Sequence, residues 1–339
     1  MPGFLSWLSR MFTGDGPSPR TNESRLMNLT ACEEASNPKQ DERLEQLEQH
    51  LFCWLLDTDP RGLAQEDERD RILLDELARR LREGRIQELP RQPLTLPMLM
   101  RALSDENSDR RSLTRIILDD PAVTDQTLQM ANSPMFRPGD HSIESVDNAV
   151  FVLGIDGIRS VVSASVMRPM LAARNSREAL FARRVWLWGL SCARSAEQIA
   201  RIHGQDASAW FLVGLLPALA YMTLFRELQR IVQVRNLGAP PAASVIRLAL
   251  SRHQWGMSQL LANEWNLPPR YHACLFEAER PSPGDAHSPL NDGIVVGTRE
   301  VLLHARQRNM AEEQLLDLVQ LSADQLGQVR HATQRLLRE

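Results

Sequence analysis

The stretch LDDPAVTDQTLQMANSPMFRPGDHSIESVDNAVFVLGIDGIRSVV, residues 118–162, decides the fold of this chain. Asp120 and Pro121 are typical of a helix start, because a carboxylate can cap free N–H groups and proline is tolerated at the first helical position. Apolar side chains then recur at spacings of three and four until the sequence Asn-Ser-Pro at 132–134, which is typical of a helix stop. One amphipathic helix is therefore predicted between these signals.

Two further helices are predicted in the same stretch. Ile143 begins a second pattern of apolar residues, which share one helical face and end at Gly154. A third helix is predicted to begin at Asp156. The stretch contains no catalytic motif. Because strand-like alternation of polar and apolar residues is scarce along the whole chain, the predicted fold class is all-α.

The succession of short motifs in and around this stretch resembles the HDOD domain, the HD-related output domain of bacterial signalling proteins. The segments that carry the resemblance are LTLPMLMRAL at 94–103, Asp120-Pro121-Ala122-Val123, LQMANS ending at Asn132-Ser133, the LG pair ending at Gly154, and Ile158-Arg159. The resemblance covers residues 89–285. It implies a two-lobed, multi-helical bundle that is a degenerate form of the HD domain.

The same resemblance implies descent from metal-dependent HD phosphohydrolases whose metal ligands are wholly or partly missing. Such sites need clustered His and Asp side chains to hold divalent ions. By this resemblance Trp188 stands where the first ligand His is expected, Pro217 and Ala218 stand at the His-Asp pair, and Gln254 lies near a later His. None of the eight histidines is followed by Asp. We therefore expect no metal, no other cofactor and no catalysis, with the ancestral pocket filled by apolar side chains.

His253, next to Gln254, has two interpretations. It is either a remnant ligand or a polar residue near a helix start, and the second is favoured because no partner residue is evident. The chain also lacks HExxH, GxxxxGK[ST], GxGxxG and GxSxG, so zinc proteases, P-loop NTPases, dinucleotide enzymes and α/β-hydrolases have no support.

Composition favours a globular cytoplasmic protein. Hydrophobic residues make up 43% of the 339 residues, which is enough for a sizeable core. The net charge of −4 argues against nucleic-acid binding, which normally needs a basic excess. The four cysteines form no CxxC motif and are expected to be reduced thiols. No apolar run is long enough for a transmembrane helix, and the N-terminal residues lack the charged start of a signal peptide.

Four regions are predicted along the chain. Residues 1–40 are a flexible tail and linker, 41–87 a helical hairpin, 88–285 the HDOD domain, and 286–339 a C-terminal helical extension. The first twelve residues are either a small amphipathic docking helix or a loose tail. The hairpin carries an apolar stripe formed by Leu44, Leu47, Leu51 and Trp54. This stripe either packs on the main domain or forms a homodimer contact.

The predicted function is a non-catalytic bacterial regulator that binds a protein partner through its helical scaffold. Asp120, Pro121, Gly154 and the polar residues Asn132, Ser133, Asp156 and Arg159 are candidate partner contacts or, equally, caps and packing devices. One alternative is a residual metal-dependent phosphohydrolase or phosphodiesterase that uses His253 and nearby acids. Another alternative is a nucleotide sensor without turnover, whose phosphate contacts would come from Arg159, Arg168 and Arg183.

Overall fold

The computed structural model describes residues 38–64, 68–92, 96–97, 110–133, 142–279 and 287–337. These parts of the chain consist of helices joined by turns. Within these ranges no β-strand occurs, which confirms the predicted all-α class. The helices are α1 (Pro38–Leu56), α2 (Pro60–Ala64), α3 (Glu68–Arg82), α4 (Arg110–Leu118), α5 (Pro121–Ala131), α6 (Val146–Leu171), α7 (Ser176–Ile202), α8 (Ala207–Val234), α9 (Ala243–Glu264), α10 (Pro269–Glu279), α11 (Pro289–His304), α12 (Glu312–Leu316) and α13 (Ala323–Leu337).

The first lobe consists of α4, α5 and α6. The second pattern of the opening stretch forms the start of α6, where Ser145 caps the helix by accepting from the N–H of Asn148. Gly154 adopts φ 71° and ψ −179°, so the helical path breaks there. The segments on either side, Val146–Ile155 and Gly157–Leu171, are bent by 118°. The predicted second and third helices are therefore the two arms of one bent element.

The second lobe is built around α7 and α8. Apolar side chains at helical spacing from Phe181 to Ile199 form the buried face of α7, and residues 207–228 of α8 are buried on all sides. Helix α8 runs without a break through Pro217 to Val234. Proline removes one backbone hydrogen bond, but burial of residues 207–228 among apolar neighbours offsets that loss.

Helix α8 is also long and apolar enough to cross a membrane. Its most apolar window is entirely buried within the protein, as expected for the central helix of a core. In the described part of the chain, one further candidate membrane span exists. It is α6, and it qualifies only when its two arms are counted together across the bend.

The hairpin helices α1 and α3 pack against the main domain. Leu47, Leu51 and Trp54 of the predicted stripe are buried, whereas Leu44 is 38% exposed. Phe52 stacks on Tyr221 of α8, with ring centroids 5.9 Å apart. The apolar face of α1 is thus buried within its own chain, as the packing interpretation of the hairpin predicts.

The C-terminal helices are also integrated into the core. Helix α11 has its most extensive contact with α7, and Gly293 and Gly297 allow this close approach. A smaller apolar cluster joins α7 and α11 to α12 and α13. Arg330 of α13 donates from Nε to the buried carboxylate of Glu300 on α11 at 3.0 Å, which also links these two helices.

Candidate functional site

The position predicted for the first metal ligand lies in a closed aromatic cluster. Trp188 is 1% exposed, and its indole stacks on Tyr221 with ring centroids 4.7 Å apart and planes 15° apart. The indole Nε1 donates to Oγ1 of Thr298 on α11 at 2.9 Å. A buried indole with its N–H satisfied is a stable core element. Trp188 therefore ties α7 to both α8 and α11.

The two positions predicted for the His-Asp pair are equally buried. Pro217 and Ala218 both lie in the enclosed part of α8. A Cβ placed on Gly189 of α7 would lie 2.5 Å from the Cβ of Ala218. The two helices thus approach so closely that a larger side chain at either position would require them to separate.

Gln254 and His253 lie on α9 and are half-buried. His253 was interpreted as a residue near a helix start, but it lies in the middle of α9, which begins ten residues earlier at Ala243. The apolar pattern of the preceding residues continues the helix into this segment. Burial lowers the pKa of His253 below its usual 6.5, and Arg252 and Arg82 lower it further. The imidazole is therefore held mainly neutral.

These residues do not fit a metal centre. The indole N–H of Trp188 is a donor, already used by Thr298, and the side chains of Pro217 and Ala218 have no lone pair to offer an ion. Within the described ranges, no group of three or more His, Cys, Asp or Glu side chains is arranged to hold a metal ion. We derive no metal-dependent step at this position.

Asp120, Pro121, Asn132 and Ser133 lie at the two ends of α5. Asp120 accepts from the N–H of Val123 at 3.3 Å, and Pro121 is the first residue of the helix. At the other end, Oγ of Ser133 donates to the carbonyl of Met130 at 2.6 Å. These are the contacts of helix caps.

Asn132 makes the most extensive contacts of the motif residues. Its Nδ2 donates to the carbonyls of Leu128 at 2.9 Å and Ile143 at 2.8 Å, and its Oδ1 accepts from the N–H of Ile143 at 2.8 Å. The Asn132 side chain therefore pairs with both backbone groups of Ile143, as a neighbouring strand would, and holds the segment that leads into α6. Both the amide nitrogen and the amide oxygen of Asn132 have partners within the protein.

The remaining predicted residues lie along α6 and α7. Gly154 lies at the bend of α6. Asp156 lies two residues further on, and its side chain is not among those that the structure describes. Arg159 is half-buried, whereas Arg168 and Arg183 are exposed.

A polar cavity of about 450 Å³ lies where α7, α10, α11 and α13 meet, and sequence reasoning missed it. Nδ1 of His287 lies 2.9 Å from the buried carboxylate of Asp292, whose other oxygen accepts from the N–H of Gln320 at 2.9 Å. Burial raises the pKa of Asp292 above 3.8 against the opposing effect of His287. His203 and Glu277 also line the cavity. The sequence offers only a weak signal for this cavity, since His287 and Asp292 are five residues apart and lie on either side of the start of α11.

Comparisons with known proteins agree with the helical architecture. The family model described as HDOD domain matches residues 89–281. A solved structure of a candidate metal-dependent phosphohydrolase from Shewanella amazonensis SB2B is similar, with 18% identity, a TM-score of 0.55, and coverage of 79% of this chain and 99% of that one. An HDOD domain protein of unknown function from Geobacter sulfurreducens gives 17% identity, a TM-score of 0.52 and coverage of 78% and 98%. The search of curated proteins returned no match.

Proposed function

The chain belongs to the HDOD domain family, and from this membership we propose that it is a non-catalytic regulatory protein of bacterial signal transduction. It acts by binding a protein partner through the surface of its helical scaffold. A cytoplasmic location belongs to the proposal, because Cys53, Cys192 and Cys274 are free thiols, as is usual in a reducing compartment.

The observation that carries the proposal is the aromatic filling around Trp188. A hydrolytic metal site needs ligand side chains and an open position for an activated water. The stacked rings of Trp188 and Tyr221 occupy the interior instead, and Ala218 lies against Gly189 with no space between the helices. Opening this region to solvent would require separation of α7 from α8. Such an interior supports a binding scaffold rather than a hydrolase.

The first test measures metal and hydrolysis on the purified full chain. Elemental analysis for Mn, Fe, Zn, Ni and Co should give far less than one ion per chain. Hydrolysis of bis-p-nitrophenyl phosphate in the presence of each ion should stay at the level of a buffer control. Stoichiometric metal accompanied by metal-dependent hydrolysis would overturn the non-catalytic assignment and favour the phosphodiesterase alternative.

The second test addresses partner binding. Cross-linked complexes recovered from the source cell should contain a specific partner that purified chain binds again in isolation. Arg159→Ala, on α6, is compared with Arg168→Ala, an exposed position on the same helix. Weaker binding by one of them at an unchanged melting temperature identifies a contact residue. If no protein rebinds the purified chain, the binding function is rejected.

A further inference from the structure

A buried arginine of α8 holds the segment that connects the two lobes. Residues 172–175, here called the lobe connector, join α6 of the first lobe to α7 of the second. The guanidinium of Arg226 donates to the carbonyls of Met170 and Ala172, each at 2.7 Å, and its Nε donates to the carboxylate of Glu178 at 3.1 Å. Arg226 is 8% exposed. The end of α6 and the start of α7 are therefore both attached to α8 through one enclosed side chain.

The next residue of α8 holds the segment that leaves the hairpin. Residues 83–92, here called the strap, follow α3. Glu227 is fully buried and accepts from the backbone N–H groups of Gln87 and Glu88 at 3.0 and 3.1 Å, and also from Arg80 of α3 at 2.7 Å. Two consecutive residues of one helix therefore hold the lobe connector and the strap.

One carboxylate of the strap contacts the lobe connector directly. Oε2 of Glu88 accepts from Arg174 of the connector at 2.5 Å, and Oε1 accepts at 3.4 Å from Arg230, one turn beyond Arg226 on α8. The Glu88 side chain is 13% exposed, whereas those of Arg174 and Arg230 are 57% and 42% exposed. Because these two guanidinium groups reach solvent, they can release Glu88 while the buried pairs stay intact.

The contacts of Glu88 lie beside a small cavity. This cavity has a volume of about 140 Å³ and is lined by Glu88, Arg174, Arg230 and Arg226, among others. Side chains beside a cavity can change rotamer without displacing close-packed neighbours. Arg174 and Arg230 also carry like charges on either side of one carboxylate, so they repel each other once that carboxylate leaves. Loss of the Glu88 contact therefore favours movement of the connector away from α8.

We propose that Arg174, Glu88 and Arg230 form an ion-pair clasp that couples the hairpin to the lobe connector. With the clasp closed, the strap and the connector are held to each other, and a displacement of the hairpin is transmitted to the junction of the lobes. With the clasp open, each segment is held by α8 alone and moves independently. The contacts run from Arg80 of the hairpin through Glu227 and the strap to Arg174, a contiguous network of the kind that can carry such coupling. The coupling is a property of this chain and does not depend on a partner.

Hydrogen–deuterium exchange of the full chain tests the clasp from the side of the strap. Glu88→Gln should accelerate amide exchange about threefold or more in the strap and also in residues 168–175, because the group that holds the connector has lost its charge. The matched control is Glu83→Gln, a strap carboxylate that pairs with Arg79 and Arg85, and it should leave residues 168–175 unchanged. Exchange at 168–175 that stays at the wild-type rate in Glu88→Gln, or that responds equally to Glu83→Gln, would overturn the proposal.

The reverse direction distinguishes coupling from the loss of one local contact, because coupling is reciprocal. Arg174→Gln should accelerate exchange in the last turn of α3, residues 79–82, which belong to the hairpin. Arg177→Gln, at an exposed position in the first turn of α7, is the matched control and should leave that turn unchanged. The double variant Glu88→Gln/Arg174→Gln should exchange no faster than Glu88→Gln alone, since both changes open the same clasp. The melting temperature of each variant separates local from global opening. An effect of Arg174→Gln confined to the connector, or additive effects in the double variant, would refute the coupling.

Discussion

Asn132 connects two helices that the sequence shows only as separate patterns. Its carboxamide pairs with both the N–H and the carbonyl of Ile143, eleven residues further along. Ile143 is buried, so these backbone groups have few alternative partners. The sequence could identify Asn132 as a residue of a helix stop, but its second partner depends on how the chain returns to α5.

Replacement of Asn132 by Ala should lower the free energy of unfolding by about 2 kcal/mol, because two backbone groups of Ile143 lose their partners. The control is Gln129→Ala, which removes an exposed hydrogen bond to Asp125 on the same helix and should cost less than about 0.5 kcal/mol. Urea unfolding measures both variants. Equal losses would mean that the Asn132 bridge contributes no more than a surface contact.

At the scale of helices, small residues determine how closely α7 meets its neighbours. A Cβ on Gly214 of α8 would lie 2.6 Å from the Cα of Ala193, and one on Gly297 of α11 would lie 2.6 Å from the Cα of Cys192. The apolar periodicity of residues 181–199 indicates that α7 has a buried face. It could not indicate which glycine meets which residue, since the pairs are distant in sequence and arise only from packing.

Gly297→Ala should destabilise the protein by about 1–3 kcal/mol, because the added methyl group overlaps the backbone of α7. Gly327→Ala is the matched control, as Gly327 lies in α13 with nothing within 4 Å of an added Cβ. That change should stabilise by up to about 1 kcal/mol through helix propensity alone. Thermal unfolding distinguishes the two, and a stabilising Gly297→Ala would refute the close helix contact.

At the scale of the whole molecule, the sequence predicted the all-α class and the apolar core but not the buried ion pairs that join its parts. Glu227 is fully buried in α8 and accepts from Arg80 at 2.7 Å and from the N–H groups of Gln87 and Glu88 at 3.0 and 3.1 Å. In the sequence, Glu227 is a single carboxylate within an apolar helix pattern, and this pattern does not indicate which residue pairs with it. Arg80 lies 147 positions away in sequence, so only the folded chain brings the pair together.

Glu76 of α3 is a further carboxylate that attaches the hairpin. It is 5% exposed and lies 2.8 Å from Arg79, 2.8 Å from Arg80 and 2.5 Å from Arg235 at the end of α8. Burial raises the pKa of Glu76, but the three guanidinium groups lower it more, to about 2 from an ordinary value of 4.5. The ionised form is therefore favoured in the folded state.

Because the pKa of Glu76 is lower in the folded than in the unfolded chain, its contribution to stability is complete above about pH 4.5 and is lost as the pH falls towards about 2. Glu76→Gln should lower the free energy of unfolding by about 2 kcal/mol at neutral pH, and this difference from wild type should shrink by about pH 3. The control is Glu83→Gln, on the exposed end of the same hairpin, which should have an effect below about 0.5 kcal/mol. Urea unfolding at both pH values measures the difference. If the Glu76→Gln deficit is the same in acid as at neutral pH, the carboxylate does not attach the hairpin through its charge.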